Sequence, residues 1–192
     1  YENTQARQRT MLLMNAANHL GGLLIGTGDL SEAALGFCTY GGDQMAMYNV
    51  NGSVPKSMVK EIVRWYASTC GKRELEEVLT AVIETGISPE LIPADECTGS
   101  AQLTEDIVGN YTIIDYVMFY HLVYGFDRNK LECITHSTFE SEFGPEEIQK
   151  AIDNFFGRFY RNQFKRSCMP DGVKVTQISF SPRGDFRLPS DK

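Results

Sequence analysis

Apolar residues recur at helical spacing over most of the chain, and the elements follow from that pattern. Residues 2–19 read as a helix whose buried side is supplied by Met11, Leu12, Leu13, Met14, Ala16 and Ala17. Pro55 stands where the first turn of another helix begins, and Met58, Val59, Ile62, Val63 and Tyr66 continue its stripe. Residues 71–86 form a further amphipathic helix ending on a glycine. Tyr111–Tyr124 is apolar on nearly every side, which predicts a buried helix or a subunit contact. Pro145 opens a helix with Glu146 and Glu147 in its first turn and a core stripe of Ile148, Ala151, Ile152, Phe155, Phe156 and Phe159. Two stretches read as strands: Leu23–Ile25, a short apolar run bounded by glycines, and the alternating Val175–Phe180. Residues 88–102, with two prolines, read as a long loop.

Candidate chemistry gathers where the first strand ends. Gly26-Thr27-Gly28-Asp29 turns into Ser31-Glu32-Ala33-Ala34-Leu35, a strand-to-helix turn whose N–H groups could receive an anion and whose Glu32 could hold magnesium between phosphates. The same residues also suit an ordinary tight turn capped by Asp29 or Ser31. Lys56 falls in the first turn of its helix, where a cation opposes the helix dipole by about 0.3–1 kcal/mol unless an anion is near. Asn3 and Arg7 share a helix face, either as ligand contacts or as a solvated pair. Asp115 and His121, inside the apolar helix, read as satisfied structural groups.

Charge and cysteine usage narrow the class. The net charge of −7 argues against a nucleic-acid binder. Residues 158–192 nevertheless carry eight Lys or Arg against three acids, which points to a localised anion site, a docking face or a solvated tail. Five scattered cysteines without a C-x-x-C pair predict reduced thiols in a cytoplasmic protein rather than a disulfide frame or a zinc site. No apolar run is long enough to span a membrane. The helical pattern starts at Tyr1 with no loop before it, so the chain is expected to be a piece of something longer.

Several segments together resemble glutamine-dependent NAD synthetases of the long form, which carry an amino-terminal nitrilase-like amidase domain. They are ENTQARQRT (2–10), GGLLIGTGDLSEAALGF (21–37), YGGDQMAMYNVNGSVPKSMVK (40–60), QLTEDIVGNY (102–111), QFKRSCMPDG (163–172) and SPRGDFRLPSD (181–191). The resemblance covers essentially the whole chain and is to the carboxyl-terminal part of the synthetase domain. It implies an α/β fold, a predominantly helical fragment of a doubly wound parallel-sheet domain of the adenine-nucleotide hydrolase (ATP pyrophosphatase) type.

The implied activity is ATP- and magnesium-dependent adenylation of the nicotinic acid carboxylate of deamido-NAD. Ammonia from a glutaminase domain then displaces AMP to give NAD. Matched by position, the resemblance implies ATP contacts for Thr27 and Lys56. It implies deamido-NAD contacts for Asn3, Arg7, Glu32, Asp43, Lys165 and Arg166, with Glu32 also at magnesium. Tyr40 stands where short-form enzymes have a lysine, so no phosphate role is implied there. Neither an S-G-G-x-D-S phosphate loop nor an amidase nucleophile domain occurs in these residues, so the piece by itself is expected to be inactive. A homo-oligomer is expected for the parent enzyme, with no nucleic acid and no membrane as partner. The alternatives are a non-catalytic oligomerisation or substrate-binding module, and another ATP-pyrophosphatase amide ligase, such as one acting on a purine nucleotide.

Overall fold

The computed structural model describes residues 1–85 and 107–191. In chain order these form α1 (Glu2–Leu20), β1 (Ile25–Gly26), α2 (Leu30–Leu35), β2 (Tyr48–Asn49), α3 (Lys56–Thr69), α4 (Arg73–Glu84), α5 (Tyr111–Tyr124), α6 (Arg128–Phe139), α7 (Pro145–Phe159) and α8 (Gln163–Arg166). The architecture is mostly helical with a small parallel sheet. β1 and β2 pair in register Ile25 with Tyr48 and Gly26 with Asn49. Asn49 also makes a parallel bridge to Gly172, so three distant segments meet at one point. A Cβ on Gly172 would lie 2.0 Å from the Asn49 carbonyl oxygen, which explains a glycine there.

The core is built around α5. Ile113, Ile114, Val117 and Met118 are fully buried against Leu131 of α6, Ile148, Ile152 and Phe155 of α7, and Leu30 and Leu35 of α2. An all-round apolar helix must be enclosed in this way, and α6, α7, α2 and α3 do so. The buried alternative therefore describes this helix, whose exposed residues are Thr112 at its start and Val123 and Tyr124 at its end. Asp115 and His121 are satisfied. The two ring nitrogens of His121 lie 2.9 Å from the Phe126 carbonyl and 3.0 Å from the Tyr160 hydroxyl.

Several expectations are corrected. Helix α1 buries only Ala6, and Met11, Leu12 and Leu13 are exposed, so its apolar residues do not form an inner side among the described residues. The first strand sits at Ile25–Gly26 rather than 23–25, and Leu23 and Ile25 are exposed rather than buried. Residues 175–180 form no strand, because the hydroxyls of Ser53 and Thr176 take the backbone groups that a ladder would use. Val175 N donates to Ser53 Oγ at 2.6 Å, and Thr176 Oγ1 donates to Ser53 O at 2.6 Å. Helix α6 lies in a stretch to which the pattern assigned no element. The expected loop at 88–102 lies outside the described residues.

Candidate functional site

The corner where β1 feeds α2 is closed by a capping box. Asp29 Oδ1 accepts from the Glu32 amide at 2.9 Å, and Glu32 Oε2 accepts from the Asp29 amide at 3.1 Å. The other oxygen of each carboxylate faces Lys56, whose Nζ lies 2.7 Å from Asp29 Oδ2 and 2.9 Å from Glu32 Oε1. The anions that compensate the first-turn lysine are thus two carboxylates from the neighbouring helix. Burial, and for Glu32 also the charge of Asp29, pushes both carboxyls above their ordinary range, with Lys56 pulling the other way. Burial lowers the Lys56 pKa, but Asp29 and Glu32 outweigh it and raise the ammonium above the ordinary value. The Tyr111 ring closes one side, its centroid 5.4 Å from Nζ.

Behind this triad lies a buried polar junction. Ser31 Oγ accepts from the Lys56 amide at 2.9 Å and donates to Asp115 Oδ1. Asp115 Oδ2 accepts from the Ser57 amide at 3.0 Å and from Ser57 Oγ at 2.6 Å. Ser57 was not among the candidate residues, and Ser31, read as an alternative cap for its own turn, bonds across to α5 and α3 while Asp29 is the cap. Their signal was positional, since a hydroxyl in the first turn of a helix is placed to bond across to neighbouring backbone groups.

A second region forms around the loop after α2. Gly36 ends that helix with φ +60°, and a Cβ there would overlap Asn162, so only glycine allows the chain to leave at this angle. Arg7 Nε donates to Tyr40 O at 3.1 Å, and Thr39 Oγ1 donates to Asn3 Oδ1 at 3.0 Å. Asp43 Oδ1 accepts from the Thr39 amide at 2.6 Å. From α8, Lys165 Nζ donates to the carbonyls of Gly36 at 2.7 Å and Cys38 at 2.8 Å. Asn3, Arg7, Asp43 and Lys165 thus converge on one loop, with Asn3, Arg7 and Asp43 exposed and Lys165 partly so. Thr27 is exposed in the β1–α2 turn, beside the Lys56 corner.

Arg166 departs from the expectation. It is buried under α2 and donates to the carbonyls of Ala33 at 3.2 Å, Ala34 at 2.9 Å and Phe159. Its guanidinium lies 4.4 Å from the centroid of the Phe159 ring, and burial lowers its pKa to about 10. Successive helix residues point about 100° apart, so Lys165 reaches the loop while Arg166 enters the core. Its donors satisfy helix ends rather than a ligand.

Among the described residues no group of three or more His, Cys, Asp or Glu could hold a metal ion. Magnesium commonly binds one or two carboxylates together with substrate phosphates, and the hard oxygens of Glu32, the more exposed of the pair, fit that need.

A small parallel sheet whose first strand feeds a capped helix, within a mostly helical chain, is consistent with a piece of an α/β domain of the ATP pyrophosphatase type. The family model described as NAD synthase matches residues 1–168, and the chain belongs to that family. It is 43% identical to a glutamine-dependent NAD(+) synthetase of Mycobacterium leprae, covering all of this chain and 31% of the relative. Against the protein of the same name from Acinetobacter baylyi it is 30% identical over 94% of this chain and 29% of the relative. The crystal structure of a glutamine-dependent NAD(+) synthetase from Cytophaga hutchinsonii superposes with a TM-score of 0.70 over 98% of this chain and 28% of that one. At 20% identity that likeness shows the shared fold. The chain spans about a third of the length of the curated relatives it matches.

Proposed function

We propose that this chain forms one wall of the active site of an ATP-dependent, amide-forming ligase that converts deamido-NAD to NAD. The observation that carries the reading is Lys56, a first-turn lysine held on two carboxylates beside an exposed strand-to-helix turn. A triphosphate in that turn offers Lys56 a competing anion, and the carboxylate released from the lysine then becomes available to magnesium. A carboxylate substrate has no leaving group, so transfer of AMP to it supplies one, and ammonia displaces AMP.

In this reading Thr27 and Lys56 hold ATP, with Lys56 countering charge on the departing pyrophosphate. Asn3, Arg7, Asp43, Lys165 and Glu32 hold deamido-NAD. Magnesium, bound with Glu32, would neutralise phosphate charge. The relatives' designation as glutamine-dependent supports a glutaminase domain as the ammonia source. Cytoplasmic location and assembly into a homo-oligomer complete the reading, and the exposed Met11, Leu12 and Leu13 of α1 offer surface for the latter.

The test is NAD formation from deamido-NAD, ATP, magnesium and ammonium by the full-length protein. Turnover that falls in Glu32→Gln without loss of folding is expected. Wild-type protein that makes no NAD, or a Glu32→Gln variant with full activity, overturns the reaction or the role of Glu32 respectively. The 192-residue chain alone is expected to give no product.

A further inference from the structure

We infer that Asp115, on the buried helix α5, is a positioning residue that sets Lys56 over the α2 turn. The inference rests on the ligase reading for its consequence, though not for its geometry. Asp115 is only 8% exposed, yet both its oxygens are engaged, and every bond it accepts comes from the first turn of α2 or of α3. Oδ1 takes Ser31, one residue before Glu32. Oδ2 takes the amide and hydroxyl of Ser57, one residue after Lys56. The loop closes on itself, because the Lys56 amide donates to the same Ser31 hydroxyl that donates to Asp115.

One carboxylate from a third helix therefore ties together the two turns that carry the facing charges. It also caps α3, which has no side-chain cap of its own at Pro55. Tyr111 lies one helical turn before Asp115 and places its ring against the Lys56 ammonium, so α5 braces the lysine at both ends. Burial pushes the Asp115 carboxyl above its ordinary range, while the bonds from Ser31 and Ser57 favour its charged form.

An amide at this position has one acceptor oxygen instead of two. In Asp115→Asn the NH2 group faces either the Ser57 amide, which then loses its acceptor, or Ser31, whose Oγ must turn from donor to acceptor while still receiving the Lys56 amide, so the tie between the two turns weakens. The full-length Asp115→Asn enzyme is expected to lose about 10–100-fold in kcat/KM for ATP, as removal of a supporting partner usually does. Because it acts through Lys56, the double variant Lys56→Ala with Asp115→Asn is expected to be no worse than Lys56→Ala. Additive losses in the cycle overturn the inference, whereas a wild-type enzyme that makes no NAD overturns the ligase reading alone.

Amide hydrogen exchange decides the positioning role independently of activity. In Asp115→Asn the Lys56 and Ser57 amides are expected to lose protection while amides further along α3, such as Ile62, keep theirs. Unchanged protection at Lys56 and Ser57, or loss throughout α3, overturns the inference. If Asp115→Asn fails to fold, Ser57→Ala, which keeps the backbone donor, carries the same kinetic cycle and the same exchange measurement at Lys56. It is held to the same outcomes with a smaller loss.

Discussion

Two lysines in this protein are fixed in opposite ways. Lys56 sits between the carboxylates of Asp29 and Glu32, and its backbone is tied into the buried Ser31–Asp115–Ser57 junction. Lys165 sits on the carbonyls of Gly36 and Cys38, and among the described residues its partners are dipoles rather than charges. The first arrangement stores a charge already balanced, so a ligand must compete for it. The second holds a charge in place without balancing it, which suits an anionic ligand that docks without first breaking an ion pair. On the proposed reading the first corner serves ATP and the second serves deamido-NAD.

The largest expected effect breaks the first corner. Lys56→Ala leaves the Asp29 and Glu32 carboxylates buried without their cation, and is expected to cost roughly 3 kcal/mol in a denaturant melt. Turnover of the full-length enzyme is expected to fall by about 100-fold or more. Next is Arg166→Ala, which takes the guanidinium donors away from three carbonyls at helix ends, of which Ala33 keeps the Gly36 amide. It is expected to destabilise the fold by about 2–4 kcal/mol while leaving the KM of both substrates within about twofold in enzyme that remains folded. A selective rise in one KM would return Arg166 to the site.

A smaller effect is read from pH. The folded-state pKa of Lys56 lies above its unfolded value, so its contribution is fully present below about 10.5, the value of a free lysine, and is lost as pH rises beyond it. Wild-type stability is therefore expected to fall more steeply above that pH than stability of Lys56→Gln, compared by melts at pH 8 to 11. The smallest effect is chemical. Burial, and the neighbouring Asp43 charge, push the Cys38 thiol up to about 12, whereas Cys133 is exposed. Iodoacetamide at pH 8, followed by peptide mass mapping, is expected to label Cys133 well before Cys38.

The Lys56 corner was legible because it violates a local rule. A lysine in the first helical turn needs an anion, and Glu32 lay in the one turn already suspected of ligand chemistry. What the chain pattern did not disclose is that the first anions are the protein's own. The partners of Asp115 were hidden for a different reason: Ser31, Ser57 and Asp115 are joined only by tertiary packing, since 84 positions separate Ser31 from Asp115. Lys165 and Arg166 are neighbours in a basic stretch with Arg166 the weaker candidate, and the direction of each side chain from α8 separates them physically.

Helix α6 was missed because its buried residues are few, Leu131, Thr135 and Phe139, and one of them is polar. Their i, i+4, i+8 spacing was the available signal. The apolar residues of α1 misled in the reverse sense, because apolar spacing shows which side could be covered and not whether the described residues cover it.

The division of labour between the two lysines is tested most directly by steady-state kinetics of NAD formation, with ATP and deamido-NAD varied separately in Lys56→Ala and Lys165→Ala forms of the full-length enzyme. The account predicts a crossed pattern: Lys56→Ala impairs kcat/KM for ATP far more than it raises the KM for deamido-NAD, and Lys165→Ala raises the KM for deamido-NAD with little change for ATP. Equal losses for both substrates in both variants would contradict it.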